Sequence, residues 1–305
     1  MSAAALPGPP LAAALRRARP SFAGAVRSEL LKIGRQWLTW ALLAGFAAVT
    51  AIVLVAVVAS GQPRAALAAN PTTFYFTYLS AVQQLFTTCA GVFLLIVGSR
   101  LVSMEYGSGT IRLVLSRGTS RLGLLAAQYT ALAGAGALLL AGFAVVAAAF
   151  LLAVVTAWHG DVSPLTSLPA AAWADTWRNV LVAGVSMAVC ILLGTAAAVV
   201  GRSVAFGVGV AVGFFPADNF AVVVMALLTR ITHQDAWVKA TQYFLGPILN
   251  QLPASLQTDH PVAAAFFTPF VRGIDATHCW VVIGACSLVF LATSVVLTWR
   301  RDVLH

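Results

Sequence analysis

Six stretches of this chain are apolar for long enough to cross a membrane as helices, and nothing else in the sequence constrains the fold as strongly. They run over Trp37–Ser60, Phe74–Ser99, Leu124–Ala157, Asn179–Val200, Val204–Thr229 and Cys279–Trp299. A hydrocarbon core of roughly 30 Å takes about 20 helical residues to cross. The third stretch is longer than that and is expected to tilt or to project beyond the bilayer. A soluble domain spends about a quarter of its residues on charged side chains, whereas this chain spends 9%, with 60% hydrophobic. So few charges cannot cover a soluble surface, and lipid must cover it instead. The fold class expected is an all-α polytopic membrane protein with six transmembrane helices.

The net charge of +9 raises the question of nucleic acid, and the positions of the charges answer it. Of the 18 Lys and Arg residues, Arg64, Arg178, Arg230, Lys239 and Arg272 fall on one side of the six spans and all the others on the opposite side. Cationic segments stay cytoplasmic, so both termini are expected in the cytoplasm of a cell whose inner membrane holds the chain. Lipid, and no nucleic acid, is the partner that this charge implies. The opening MSAAALPGPPLAAALRRARP places its arginines after the weak apolar run, the reverse of a secretory signal. Residues 1–21 read as a disordered cytoplasmic tail, and 300–305 as a cytoplasmic C-terminus.

A different helix precedes the first span, over 22–36. Phe22, Val26, Leu30, Ile33 and Trp37 form an apolar stripe, with Arg27, Lys32 and Arg35 pointing away from it. An apolar stripe opposite a cationic face lies flat among lipid headgroups, so an interfacial amphipathic helix is expected there. Of the outer loops, 230–278 is the longest. Within it AWVKATQYFLGPILNQL reads as an interfacial helix, and VAAAFFTPFV (262–271) as a re-entrant or interfacial piece too short to span. Cys89, Cys190, Cys279 and Cys286 lie in or beside apolar stretches without metal-ligand spacing and read as small buried hydrophobes.

Catalytic material is scarce. Glu29 and Glu105 are the two glutamates, and the histidines fall in outer loops or at chain ends. HExxH, GxSxG and paired carboxylates do not occur, which makes an intramembrane hydrolase the weakest reading. GxxxxGK[ST] does not occur either, so no catalytic, metal or cofactor site is assigned to the chain.

The segment RLVSMEYGSGTIRLVLSRGTSRLGLLAAQ joins the second and third spans. Gly107 and Gly109 are expected to end the span, after which Thr110 caps a short helix, TIRLVLSR. Glu105, the run Gly109-Thr110-Ile111-Arg112, and Ser120-Arg121 together resemble the pattern of type-2 ATP-binding-cassette (ABC) export permeases. Glu29 and Lys32 resemble the acidic and basic positions of that family's elbow helix. Gly201-Arg202-Ser203 is similar to its tight inner turn, and Trp299-Arg300-Arg301-Asp302 to its basic-basic-Asp ending. Gly118 stands where the family often has proline, and Gln128 where a basic residue is common. The resemblance implies that 22–36 is the elbow helix and that 105–121 couples to separate ABC ATPase subunits, two copies of which bind ATP and Mg. Glu105, Gly109, Thr110, Ile111, Arg112, Arg121 and Glu29 are then the coupling residues. It also implies a second permease subunit, same or homologous, and a function in ATP-driven export. The alternative is a membrane anchor or immunity subunit that recruits such an ATPase without moving a substrate.

Three features lie within the spans. Ala205, Gly209, Gly213 and Ala217 recur every four residues and are read as a helix-packing stripe. Thr77, Ser80, Gln84, Thr87 and Gly91 form a polar and small stripe that must meet other helices or a cavity, so Gln84 and Thr87 are candidates either for structural hydrogen bonding or for pathway lining. Asp218 with Asn219 follows Pro216, which is expected to kink or break the fifth span. Either this pair lines the outer end of the pathway, or the helix stops at Phe215 and the pair sits in a wet turn.

Overall fold

A computed structural model describes residues 21–107, 120–256, 268–271 and 273–300. The expected tail, the capped helix at 110–117, residues 262–267 of the short apolar piece and the C-terminal residues after Arg300 lie outside the described residues. The described chain is helical throughout its regular elements: α1 (Phe22–Arg35), α2 (Trp37–Ala59), α3 (Gln62–Ala69), α4 (Pro71–Gly107), α5 (Arg121–His159), α6 (Ser163–Thr166), α7 (Ala170–Gly201), α8 (Val204–Thr232), α9 (Ala236–Ala240), α10 (Leu245–Leu256) and α11 (Ala276–Arg300), with a 3₁₀ turn at Thr241–Tyr243 between α9 and α10. Six of them, α2, α4, α5, α7, α8 and α11, are long and apolar enough to cross a membrane. The protein is a six-span, all-α membrane protein.

Helix ends follow local chemistry. Ser21, Ser120 and Ser203 accept hydrogen bonds from the backbone N–H groups of Gly24, Gly123 and Phe206, and so start α1, α5 and α8. The extended backbone of Gln36 separates α1 from α2. The inner turn between α7 and α8 is made by Arg202 in the left-handed region at φ 51°, which costs an L-residue roughly 1–2 kcal/mol. Beside it, a Cβ on Gly201 would lie 1.9 Å from the Phe206 ring, so this turn demands glycine.

The spans are not equivalent. In the most apolar windows of α4 and α7, 61% of residues are buried within the chain, against 11% in α2, α5 and α8. These two helices form the axis around which the others pack. Phe86, Phe93, Leu94 and Leu101 of α4 and Met187, Cys190 and Ile191 of α7 form the main core, joined by Phe46 of α2 and Leu132 of α5. A second cluster seats α10 against α7 and α11 through Ile248, Leu249 and Leu252. All four cysteines are free thiols, two of them buried.

Several boundaries differ from those expected. α4 does not stop at Ser99 but carries Arg100 and Glu105 on to Gly107, because neighbouring helices bury its last turns. α7 begins at Ala170, well before Asn179. Its polar first turns read as loop in the sequence, yet Arg178 pairs with Asp175 at 2.5 Å and the Asn179 amide donates to the Asp175 carbonyl. α8 runs through Pro216 to Thr232, which removes the reading that the helix stops at Phe215. The expected single helix in the outer loop is interrupted, with Phe244 extended between the 3₁₀ turn and α10.

The stripe of Ala205, Gly209, Gly213 and Ala217 does not pack within the described chain. All four residues are exposed, and a Cβ on Gly209 or Gly213 would meet nothing within 4 Å. The face of α8 that does pack holds Gly207 and Ala211. A Cβ on Gly207 would come within 2.6 Å of Ser99 Oγ and 2.7 Å of Ser103 Oγ, so α8 approaches α4 backbone to side chain at this point.

Candidate functional site

The polar groups that stand out in the sequence gather at the two ends of the bundle. At one end, α1 turns Val26, Glu29 and Ile33 inward on one face, against the base of α5 and α4. The expected apolar stripe is therefore divided. Ile33 is buried, whereas Phe22 and Leu30 of α1 and Trp37, the first residue of α2, remain exposed. Lys32 does not point away from the bundle as expected. Its Nζ donates to Glu29 Oε1 at 2.6 Å and also to Glu105 Oε1 in the last turn of α4. Glu29 is only 1% exposed and Glu105 5%.

The electrostatics follow from that geometry. Burial pushes the Glu29 carboxyl above the ordinary carboxylate range, against the pull of the Lys32 hydrogen bond and charge. Its second oxygen, Oε2, is buried without a hydrogen-bond partner among the described residues, which favours the protonated form. Burial also opposes the charge on Lys32, but hydrogen bonds to Glu105 and Glu29 outweigh it and hold the ammonium above its ordinary pKa.

Arg121, the first residue of α5, lines a small cleft with Glu105, Tyr106, Gln128 and Thr298. Glu29, Glu105 and Arg121 are thus gathered at one end of the bundle. Glu105 and Arg121 flank the segment 108–119, whose Gly109, Thr110, Ile111 and Arg112 lie outside the described residues. Lys32, which bridges the two glutamates, matches the basic position of the elbow helix in the sequence but is not among the coupling residues expected there. The i, i+3 spacing of Glu29 and Lys32 is the available signal.

At the other end, Asp218 and Asn219 sit half-buried on α8. The backbone N–H of Gly246, in the first turn of α10, donates to Asp218 Oδ2 at 2.6 Å. A carboxylate at a helix N-terminus satisfies a donor that the helix cannot and complements the helix dipole. Asn219 donates to the Phe215 carbonyl at 2.9 Å and accepts from the Asn250 amide at 3.1 Å. The pair anchors α10 to α8.

Gln84 and Thr87 bond elsewhere. Thr87 donates to the Gln83 carbonyl of its own helix, and Gln84, exposed on α4, reaches Thr88 at 3.4 Å. Further along the same stripe, Gly91 packs against Cys190 of α7.

Residues 25–218 match the family described as ABC-2 family transporter protein. That region runs from α1 through all of α2, α4, α5 and α7 and into α8 as far as Asp218. No curated protein matches the chain.

Proposed function

The chain belongs to the ABC-2 family of transporter proteins, a multi-pass membrane permease component of an ABC transporter, and from that premise we propose that it works in ATP-driven export. Two permease subunits pair around a pathway, and two separate ATPase subunits, which hold ATP and Mg, dock against the cytoplasmic face of an inner membrane. Both termini lie on that face, in keeping with the excess of Lys and Arg there.

The observation that carries this reading is the ion cluster of Glu29, Lys32 and Glu105, next to the segment 108–119. A coupling segment must pass a push from the ATPase into the spans instead of yielding locally. Glu105 on one flank is tied to α1 through Lys32, and Arg121 on the other opens α5, so a displacement of 108–119 is delivered to three helices together. A second observation favours the pairing of subunits. The exposed stripe of Ala205, Gly209, Gly213 and Ala217 has the small-residue spacing that lets membrane helices approach closely. In this arrangement Gln84, Thr87, Asp218 and Asn219 line the pathway, and exposed Gln84 escapes lipid by facing it.

Gly109→Pro tests the coupling. It imposes a fixed φ and removes an N–H at the start of the coupling helix, so co-purification of the ATPase is expected to fall while the permease stays inserted. Unchanged ATPase recovery together with unchanged transport would overturn the assignment. Orientation has its own check in a background cleared of native thiols. Cysteines at Ser108 or Ser116 should resist an impermeant thiol reagent in intact cells, and one at Ser255 should react.

A further inference from the structure

A groove of about 580 Å³ lies where α1, α2 and α5 meet, with Phe93 of α4 behind it. Gly34 and Trp40 stand at the end beside α1, where the indole N–H of Trp40 donates to the Gly34 carbonyl at 2.8 Å. From there the α2 wall runs from Thr39 to Leu54, and the α5 wall from Ala135 to Val146. The α5 wall is about 16 Å long at 1.5 Å per residue, close to one leaflet of a hydrocarbon core of roughly 30 Å. Phe46 and Phe93 at the back are buried, whereas Trp40, Leu138 and Val146 are at least half exposed. The groove is therefore open on its bilayer side.

Two observations say what fits it. Among the described residues its side chains offer no hydrogen bond to an occupant, because the Thr39 and Thr50 hydroxyl oxygens are buried out of reach and the Trp40 indole is already engaged. A polar molecule would lose its water there with nothing in exchange, whereas a hydrocarbon chain would lose nothing. The second observation is charge at one end only. No charged side chain lines the groove, but Arg27, Leu30, Leu31, Gly34 and Arg35 share one exposed face of α1 at helical spacing, and Gly34 is part of the groove. Neither arginine makes an ion pair or a hydrogen bond among the described residues, while Lys32 is committed to Glu29 and Glu105.

We propose that this groove is a binding site for one acidic phospholipid of the leaflet nearest α1, with an acyl chain lying between α2 and α5 and the phosphodiester held by Arg27 and Arg35. The two arginines lie about 12 Å apart along α1, so their long side chains can converge on a phosphate between them, and guanidinium is the side-chain cation best shaped for that group. A zwitterionic lipid would bring an ammonium to the same two cations, and an acidic lipid does not. The opposite face of α1 turns Glu29 into the bundle, so the lipid braces this helix from the membrane side. The site lies within one subunit and rests neither on export nor on the pairing of permeases.

The test uses the full chain in phosphatidylcholine nanodiscs that contain a small fraction of a photolabel, either phosphatidylglycerol or phosphatidylcholine with the same diazirine-bearing acyl chain. The phosphatidylglycerol probe should label the α2 and α5 walls of the groove about five- to thirtyfold more, since each arginine beside an anionic headgroup is worth about fivefold. Around Leu288 and Val289, exposed on α11, the two probes should label alike. Arg27→Gln combined with Arg35→Gln should bring the probes level in the groove. Gly142 lines the groove, and a Cβ there would meet nothing within 4 Å, so Gly142→Phe should fill it and lower labelling of its walls by both probes. Equal labelling of the native groove by the two probes, a measurement that needs no variant, overturns the proposal. So does a preference that survives the arginine substitutions or is as strong on α11 as in the groove. Unchanged labelling in Gly142→Phe would place the chain elsewhere and equally overturn it.

Discussion

The two ends of the bundle each shelter carboxylates, and they stabilise them by different means. Near the base of α4, Glu29 and Glu105 share one lysine that links α1 to α4. Around Asp218 the partner is the main chain, with the Gly246 N–H at the start of α10 filling the carboxylate's acceptor site. A bridging ammonium joins elements that are distant in sequence and can be exchanged for other partners as those elements move. A main-chain cap is short-range and fixes one helix to another. One end thus joins α1 to α4 through a shared ammonium, and the other holds α10 in place through its main chain; in the proposed coupling, the first is the end that transmits displacement.

The largest effect should come from removing the shared cation. Lys32→Met leaves two buried carboxylates facing each other, and breaking a buried pair in this way costs roughly 3–5 kcal/mol. Lys32 itself is 39% exposed, so solvent screening reduces the expected loss to about 2–3 kcal/mol. Thermal unfolding in detergent measures it. The triple variant that adds Glu29→Gln and Glu105→Gln should recover most of the loss, and no recovery would show that Lys32 acts by packing alone.

The next test concerns how α8 meets the bundle. Gly207→Ala forces a methyl against Ser99 and Ser103, and overpacking of this kind costs about 1–3 kcal/mol. Gly209→Ala, two residues away and in open space, should leave the thermal midpoint of the isolated subunit unchanged. If Gly209→Ala nonetheless weakens pairing of permeases in a cross-linking assay, the exposed stripe is the contact between them. Equal destabilisation by both variants would break the distinction between the two faces of α8.

At the Asp218 end the effect should be smaller. Asp218→Asn keeps an acceptor for the Gly246 N–H but loses the charge, a loss of about 1 kcal/mol. Hydrogen exchange should show α10 opening more readily while the rest of the bundle is unaffected. Loosening spread over all spans would mean that Asp218 is more than a local anchor.

The smallest effect is a pH dependence at the base. The Glu29 pKa is raised by burial, so the fold favours its protonated form. That contribution is fully present below the ordinary carboxylate value and is lost as pH rises through the raised value of the folded state. The stability of the native protein relative to Glu29→Gln should therefore improve as pH falls from neutral towards the ordinary carboxylate range. A difference independent of pH would show that Glu29 is not the group that titrates.

Much of the candidate site is legible in the amino-acid sequence. Glu29, Glu105 and Asp218 are conspicuous because acidic groups are so few and stand at the edges of, or within, apolar stretches. Their partners are not legible. Helical spacing directs Lys32 away from the apolar stripe, because spacing describes a face and does not say what meets it. Asp175 and Arg178 read as loop because each looks out of place in a membrane helix alone, and their mutual pairing removes that objection. The start of α7 is misplaced for the same reason.

The sequence by itself determined that this protein is helical and crosses the membrane six times. Apolar length is a local property, and a backbone in lipid must satisfy its hydrogen bonds within each helix. Only the tertiary structure decided that α4 and α7 form the axis, that Gly207 and not Gly209 packs, and that Lys32 joins α1 to α4. In a bilayer, helix surfaces that face lipid and those that face protein are equally apolar, so hydrophobic periodicity, which betrays the core side of a helix in water, carries little of that signal here.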